Sequence, residues 1–191
     1  ERYFKNHEMM KKGIKWSAML LVALLGFSSC DSGSDTAEHK NVDDLIVMAT
    51  KDVLTEFKNA ELLGVEARLE YDENKNLTPM VPFMDFIAYF SVPDKGAGST
   101  IMITYSKNWL MTWTYVNFPI VCAIPISNIQ LSTTEALKKM YESEVPKPEY
   151  NALTIYKPGE PANTNAQFFF GSGSATHVFV DAVTGEVRTQ L

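Results

Sequence analysis

The amino-acid pattern predicts an α+β protein made of two successive units, each a helix followed by antiparallel strands, with the helices on one face of the sheet. Three observations carry this expectation. Two stretches place apolar residues at helical spacing, NVDDLIVMATKDVLTEFKNA from residue 41 and LSTTEALKKMYES from residue 131, and each is followed by short segments of strand character. Glycine-rich turns, PDKGAG and GSGSAT, separate strand candidates in both halves. Between the halves, FPIVCAIPI holds Pro119 and Pro125, which a central strand excludes, so it reads as a connection. With 46% hydrophobic and 12% aromatic residues among 191, the chain can bury one good core or two small adjoining ones.

From the amino terminus, Lys11, Lys12 and Lys15 precede an apolar run from Ala18 to Phe27, the polarity order of a secretory signal. The run is shorter than the roughly 20 residues a spanning helix takes. Met9 or Met10 is the natural initiator, which makes residues 1–8 upstream sequence. The stretch LLGFSSCDSGS puts small Ser28 and Ser29 before Cys30 and small polar residues after it. The residues up to Cys30 thus resemble a bacterial lipoprotein signal, although Phe27 stands where an aliphatic residue is usual. The resemblance implies cleavage before Cys30, a lipid attached to Cys30, and a place in the cell envelope on a bacterial membrane. The alternative is an ordinary signal peptide that contains a cysteine.

An acylated Cys30 would leave Cys122 alone and rule out an internal disulfide. Cys122, in PIVCAIPI with no charged neighbour, is expected to be a small buried hydrophobe rather than a nucleophile. The whole chain carries a net charge of -6. Without residues 1–29 it has 12 basic against 21 acidic residues, a charge of -9. That sign makes nucleic acid a poor partner and leaves membrane attachment to the lipid rather than to a basic patch.

The expected organisation is upstream residues and signal over 1–29, a flexible polar tether over 30–40, a first unit over 41–126 and a second over 127–191. In the first unit, Leu45, Ala49, Val53 and Phe57 recur at spacing four after a cap at Asn41, with Asp43 and Asp44 in the first turn. GVEARLEY alternates Val65, Ala67, Leu69 and Tyr71 against Glu66, Arg68 and Glu70 and predicts a strand with one wet face. MDFIAYFSV, STIMITYS and WLMTWTYVN follow as further strands. In the second unit, Ser132 and Glu135 have capping-box spacing ahead of Ala136, Leu137, Met140 and Tyr141 on one helical face. NALTIYK, AQFFFG and THVFVDA are its strands.

In HVFVDAVTGEV, Val178 and Val180 alternate with Phe179, Asp181 starts a turn, and Gly185 supplies the positive φ of a tight reversal. Helix, strands and a closing VDAVTGEV resemble the PepSY domain, most clearly over residues 132–191. In the first half SKNW replaces the TGEV turn, and the likeness rests on element order. A tandem of such units also resembles the β-lactamase-inhibitor-protein fold. These resemblances imply contact with peptides or proteases, with inhibition as one form of it.

Residues with catalytic potential are few, and the pattern offers no catalytic set, no metal cluster and no cofactor site. His177 lacks a second His or Cys at ligand spacing and reads as a strand histidine. GSGSATH has neither the lysine of a phosphate loop nor the frame of a nucleophile elbow. Asp181 and Glu186 fall short of a calcium shell. The remaining signal is aromatic. WLMTWTYVN sets Trp109, Met111, Trp113 and Tyr115 on one strand face, opposite Leu110, Thr112, Thr114 and Val116. If the threonine face is wet, the tryptophans are core; if the helix covers Leu110 and Val116, the aromatic row is open and forms a partner platform. The expected function is non-enzymatic binding of a peptide or protein through Trp109, Trp113 and Tyr115, on the sheet face away from the helices. The alternatives are an accessory lipoprotein of an envelope assembly and a hydrolase with an unrecognised site.

Overall fold

A computed structural model describes residues 39–117, 122–159, 165–171 and 177–189. Cys30 lies outside the described residues. Among those described, ten strands and two α-helices form: β1 His39–Asn41, α1 Val42–Glu56, β2 Glu61–Arg68, β3 Met80–Pro82, β4 Phe86–Ser91, β5 Thr100–Ser106, β6 Leu110–Val116, α2 Thr133–Glu142, β7 Ala152–Tyr156, β8 Gln167–Phe170, β9 Val178–Asp181 and β10 Val187–Arg188. Eight strands make one antiparallel sheet in the order β10-β9-β8-β7-β2-β4-β5-β6, and β1 pairs with β3 in a separate ribbon. The class is α+β, as expected.

Both helices start where their caps lie. The Asn41 side chain accepts the Asp43 N–H at 2.8 Å, and Val42, Leu45, Ile46, Ala49 and Val53 form the buried stripe of α1. In α2 the capping box is complete: Ser132 Oγ accepts the Glu135 N–H, and the Glu135 carboxylate accepts the Ser132 N–H at 2.9 Å. The two helix starts are tied together. Asp43, in the first turn of α1, accepts the N–H of Thr133 at 3.0 Å and its hydroxyl at 2.7 Å, so one carboxylate serves an orphan N–H at the start of a second helix. Sequence periodicity carried no sign of this link.

One face of the sheet is apolar throughout. Val65, Ala67, Phe86, Ala88, Phe90, Ile101, Ile103, Leu153, Ile155, Phe168, Phe170, Val178 and Val180 belong to a single buried cluster with the apolar stripes of α1 and α2. The halves joined by FPIVCAIPI therefore share one core. Their sheets meet where β2 runs antiparallel to β7, Gly64 opposite Tyr156 through Arg68 opposite Ala152. The pairing of β2 with β4 shifts register between Leu62 and Gly64, and the Leu62 carbonyl accepts the Ile124 N–H at 2.7 Å.

Three expectations need correction. His39 and Lys40, assigned to the tether by composition, pair with Pro82 and Val81; a three-residue strand is too short to show a period. Tyr71 is exposed and bridges only to Leu77, because the chain has already turned away after Leu69. Cys122 is exposed, not buried: Ile124 is the residue of this connection that enters the core.

Candidate functional site

Strand β6 forms one edge of the large sheet, and among the described residues no strand pairs with its outer side. Its sequence, LMTWTYV, contains no charge and no proline. Most edge strands of this length are blunted by a lysine, a proline or a bulge, because every second residue turns an unpaired N–H and C=O outward. The opposite edge differs: β10 has only two residues and one is Arg188.

The aromatic row lies on the helix side. Within β6, Met111, Trp113 and Tyr115 stand opposite Tyr105, Ile103 and Ile101, all buried. The Trp113 ring meets Phe57 edge-on at 5.2 Å, and its Nε1–H donates to Glu56 Oε2 at 2.8 Å, both at the end of α1. This corrects the expected placement on the face away from the helices: α1 covers the Trp113 side of the sheet and leaves the threonines wet. The row is nevertheless not core. Because α1 lies over β2 and β4, its cover thins toward β6, and Trp113 remains 36% and Tyr115 52% exposed, with their rings edge to face at 5.5 Å. Alternation along the strand separates two faces but does not say how far a helix reaches across them.

Trp109 falls outside β6, in the turn after β5. It packs against Tyr105 at 5.9 Å and Phe83 at 6.3 Å between ring centres, with the Lys40 ammonium over its ring at 5.4 Å. Asn108 and Trp109 both have positive φ, 67° and 56°, an outlier for a bulky side chain. Trp109 is thus separated from the pair formed by Trp113 and Tyr115.

Two carboxylates of α1 reach this side of the sheet. Glu56 bonds Trp113, and Asp52, one turn earlier on α1, accepts the Tyr105 hydroxyl at 3.2 Å. Burial, with Asp52 beside it, pushes the Tyr105 hydroxyl well above the ordinary tyrosine range. Neither carboxylate is in an ion pair among the described residues. Past Tyr115, a shallow depression is lined by Ala97, Gly98, Ser99 and Asn117.

The other face of the sheet is mixed. Thr112, Thr104, Ile87, Glu66, Thr154 and Phe169 cross it in register, and the Thr104 and Thr112 hydroxyls bond each other at 2.8 Å. At its far end Asp181 accepts the N–H groups of Val183 and Thr184 and the side-chain amides of Asn165 and Gln167. Burial works against that charge, yet these four donors outweigh it and hold the carboxyl below its usual range. Asp181 is therefore occupied by its own turn and by the start of β8, and Gly185, at φ +73°, closes that turn with its N–H on the Asp181 carbonyl. His177 stands edge-on to Phe169 at 4.9 Å. Among the described residues no group of three or more His, Cys, Asp or Glu is placed to hold a metal ion.

Compared with protein-family models, curated proteins and solved structures, the chain matches none of them.

Proposed function

We propose that this protein is a lipid-anchored component of a bacterial cell envelope whose folded part binds a peptide or protein without catalysing a reaction. The observation that carries this reading is the β6 edge: an uncharged seven-residue strand beside two aromatic rings left half uncovered. Exposed large aromatics on an unblunted edge carry a risk of aggregation, which a chain tolerates more readily when the surface has a use. The anchor rests on Cys30 and the signal-like residues before it; among the described residues, no helix is long and apolar enough to cross a membrane.

The two halves are read as PepSY-like repeats arranged as in the β-lactamase-inhibitor-protein fold. Strand order supports this: outward from the β2–β7 pair, the strands run β4, β5, β6 one way and β8, β9, β10 the other, and each run follows its own helix. A protease or peptide is the corresponding partner class. The accessory-lipoprotein reading draws on the mixed, threonine-rich face opposite the helices.

Cys30→Ser should move the protein from the membrane to the soluble fraction and remove the lipid mass. Unchanged sedimentation, with no added mass on the wild type, would sink the anchor. Capture from the native envelope should retain a discrete peptide or protein with both forms. Retention only as a fixed stoichiometric part of a large assembly would replace binding with the accessory role.

A further inference from the structure

We infer that the β6 edge takes up an extended, basic segment of its partner as an added ninth strand, with a cationic side chain of that segment seated between Trp113, Tyr115 and the carboxylate of Glu56. The inference deepens the binding reading and rests on it.

The backbone supplies the first half of the argument. An edge strand offers main-chain donors and acceptors that any extended segment can satisfy, while side chains at every second position confer selectivity. Residues 110–116 form seven residues of continuous edge, every second one turned outward, free of proline and without a bulge in their pairing with β5. The shallow depression beyond Tyr115 extends the track for a side chain further along.

Charge supplies the second half and selects the occupant. Glu56 is the last residue of α1, and the last turn of that helix holds no basic residue. A carboxylate there faces the negative end of the helix dipole, an unfavourable position. Asp52 adds a second negative group one turn back. Lys95 lies over the neighbouring Phe57 ring at 5.7 Å, and among the described residues no cation forms an ion pair with either carboxylate. A lysine or arginine arriving on the helix side of an added strand would meet two aromatic rings together with the Glu56 carboxylate, which is in no ion pair among the described residues. The charge of -9 on residues 30–191 favours the same partner at long range. A second copy of this chain fits less well: its β6 brings no positive charge, and pairing edge to edge would place a second Glu56 on the same side of the sheet.

The test uses the whole chain in detergent and ten-residue synthetic peptides, read by tryptophan fluorescence. The probes are alternating Arg-Thr, alternating Glu-Thr, and two Arg-Thr peptides N-methylated on alternate amides in opposite phase. Arg-Thr should bind at least about tenfold more tightly than Glu-Thr, and Glu56→Gln should narrow that ratio several-fold. One N-methylated phase should lose about tenfold or more while the other keeps its affinity, because only one set of amides faces β6. Equal binding of both phases would overturn strand addition, and equal binding of Arg-Thr and Glu-Thr would overturn the basic segment. Sedimentation adds a third arm: a dimer that Thr114→Lys dissolves would assign the edge to a second copy and overturn the proposal. If the peptides fail while Thr114→Lys still captures its envelope partner, binding stands and lies elsewhere on the molecule.

Discussion

Gly185 turns the chain between β9 and β10 at φ +73°, and a Cβ built there would lie 3.4 Å from Leu131 Cδ1 and from Lys139 Cε. Both the backbone and the neighbours resist a side chain, the neighbours less so because they are flexible side chains that can give. Gly185→Ala should therefore cost on the order of 1 kcal/mol, most of it from the left-handed backbone. The check is the denaturation midpoint at constant slope; an unchanged midpoint would mean that the turn relaxes to another form. Asp181 and Gly185 were legible in VDAVTGEV because turn chemistry is local, carried by residues that bond within four positions of one another. Glu56 was not. Its contact with Trp113 joins residues 57 positions apart, and nothing in TEFKN distinguishes that carboxylate from an ordinary solvated one.

The hairpin between β5 and β6 shows what the helical and strand elements demand of single residues. Trp109 is held at φ 56° in a position where glycine would be the unstrained choice. Its ring contacts with Tyr105 and Phe83 offset that strain. Trp109→Ala loses the ring and keeps the strain, whereas Trp109→Gly loses both. The glycine variant should accordingly be the more stable by about 1 kcal/mol, the reverse of the usual order in a strand. Comparing the two midpoints decides it, and an alanine variant as stable as the glycine one would remove the strain argument. The same elements mark the limits of pattern reading. Both helices, β2 and the strands from β4 to β9 follow from caps, spacing and alternation in named residues such as Asn41, Ser132 and Val65. β1, β3 and β10, with two or three residues each, are too short to carry a period.

Across the whole molecule, the order of the longer elements was legible and the way the two halves combine was not. Two small cores and one shared core produce the same local patterns; the distinction lies in the pairing of Val65 with Ile155 and its neighbours, residues 90 positions apart. Asp43 reaching Thr133 is a second join of the same kind. The aromatic row shows a related limit, since alternation in WLMTWTYVN left open which face α1 covers. The structure resolves it into something between the two expectations: a row on the covered side, at the margin of the cover. Trp113 should then act in both roles. Trp113→Ala loses edge-on contacts with Phe57 and Tyr115, one hydrogen bond and a partly covered ring, about 2 to 3 kcal/mol of stability, toward the low end of the 3 to 5 kcal/mol of a fully buried large aromatic. The most direct test of the account is the affinity of folded Trp113→Ala for the protein retained from the native envelope. The account predicts a loss of about 2 kcal/mol or more, roughly 30-fold, with the variant still folded. An affinity equal to that of the wild type would contradict it and make Trp113 a structural residue at an edge that binds nothing.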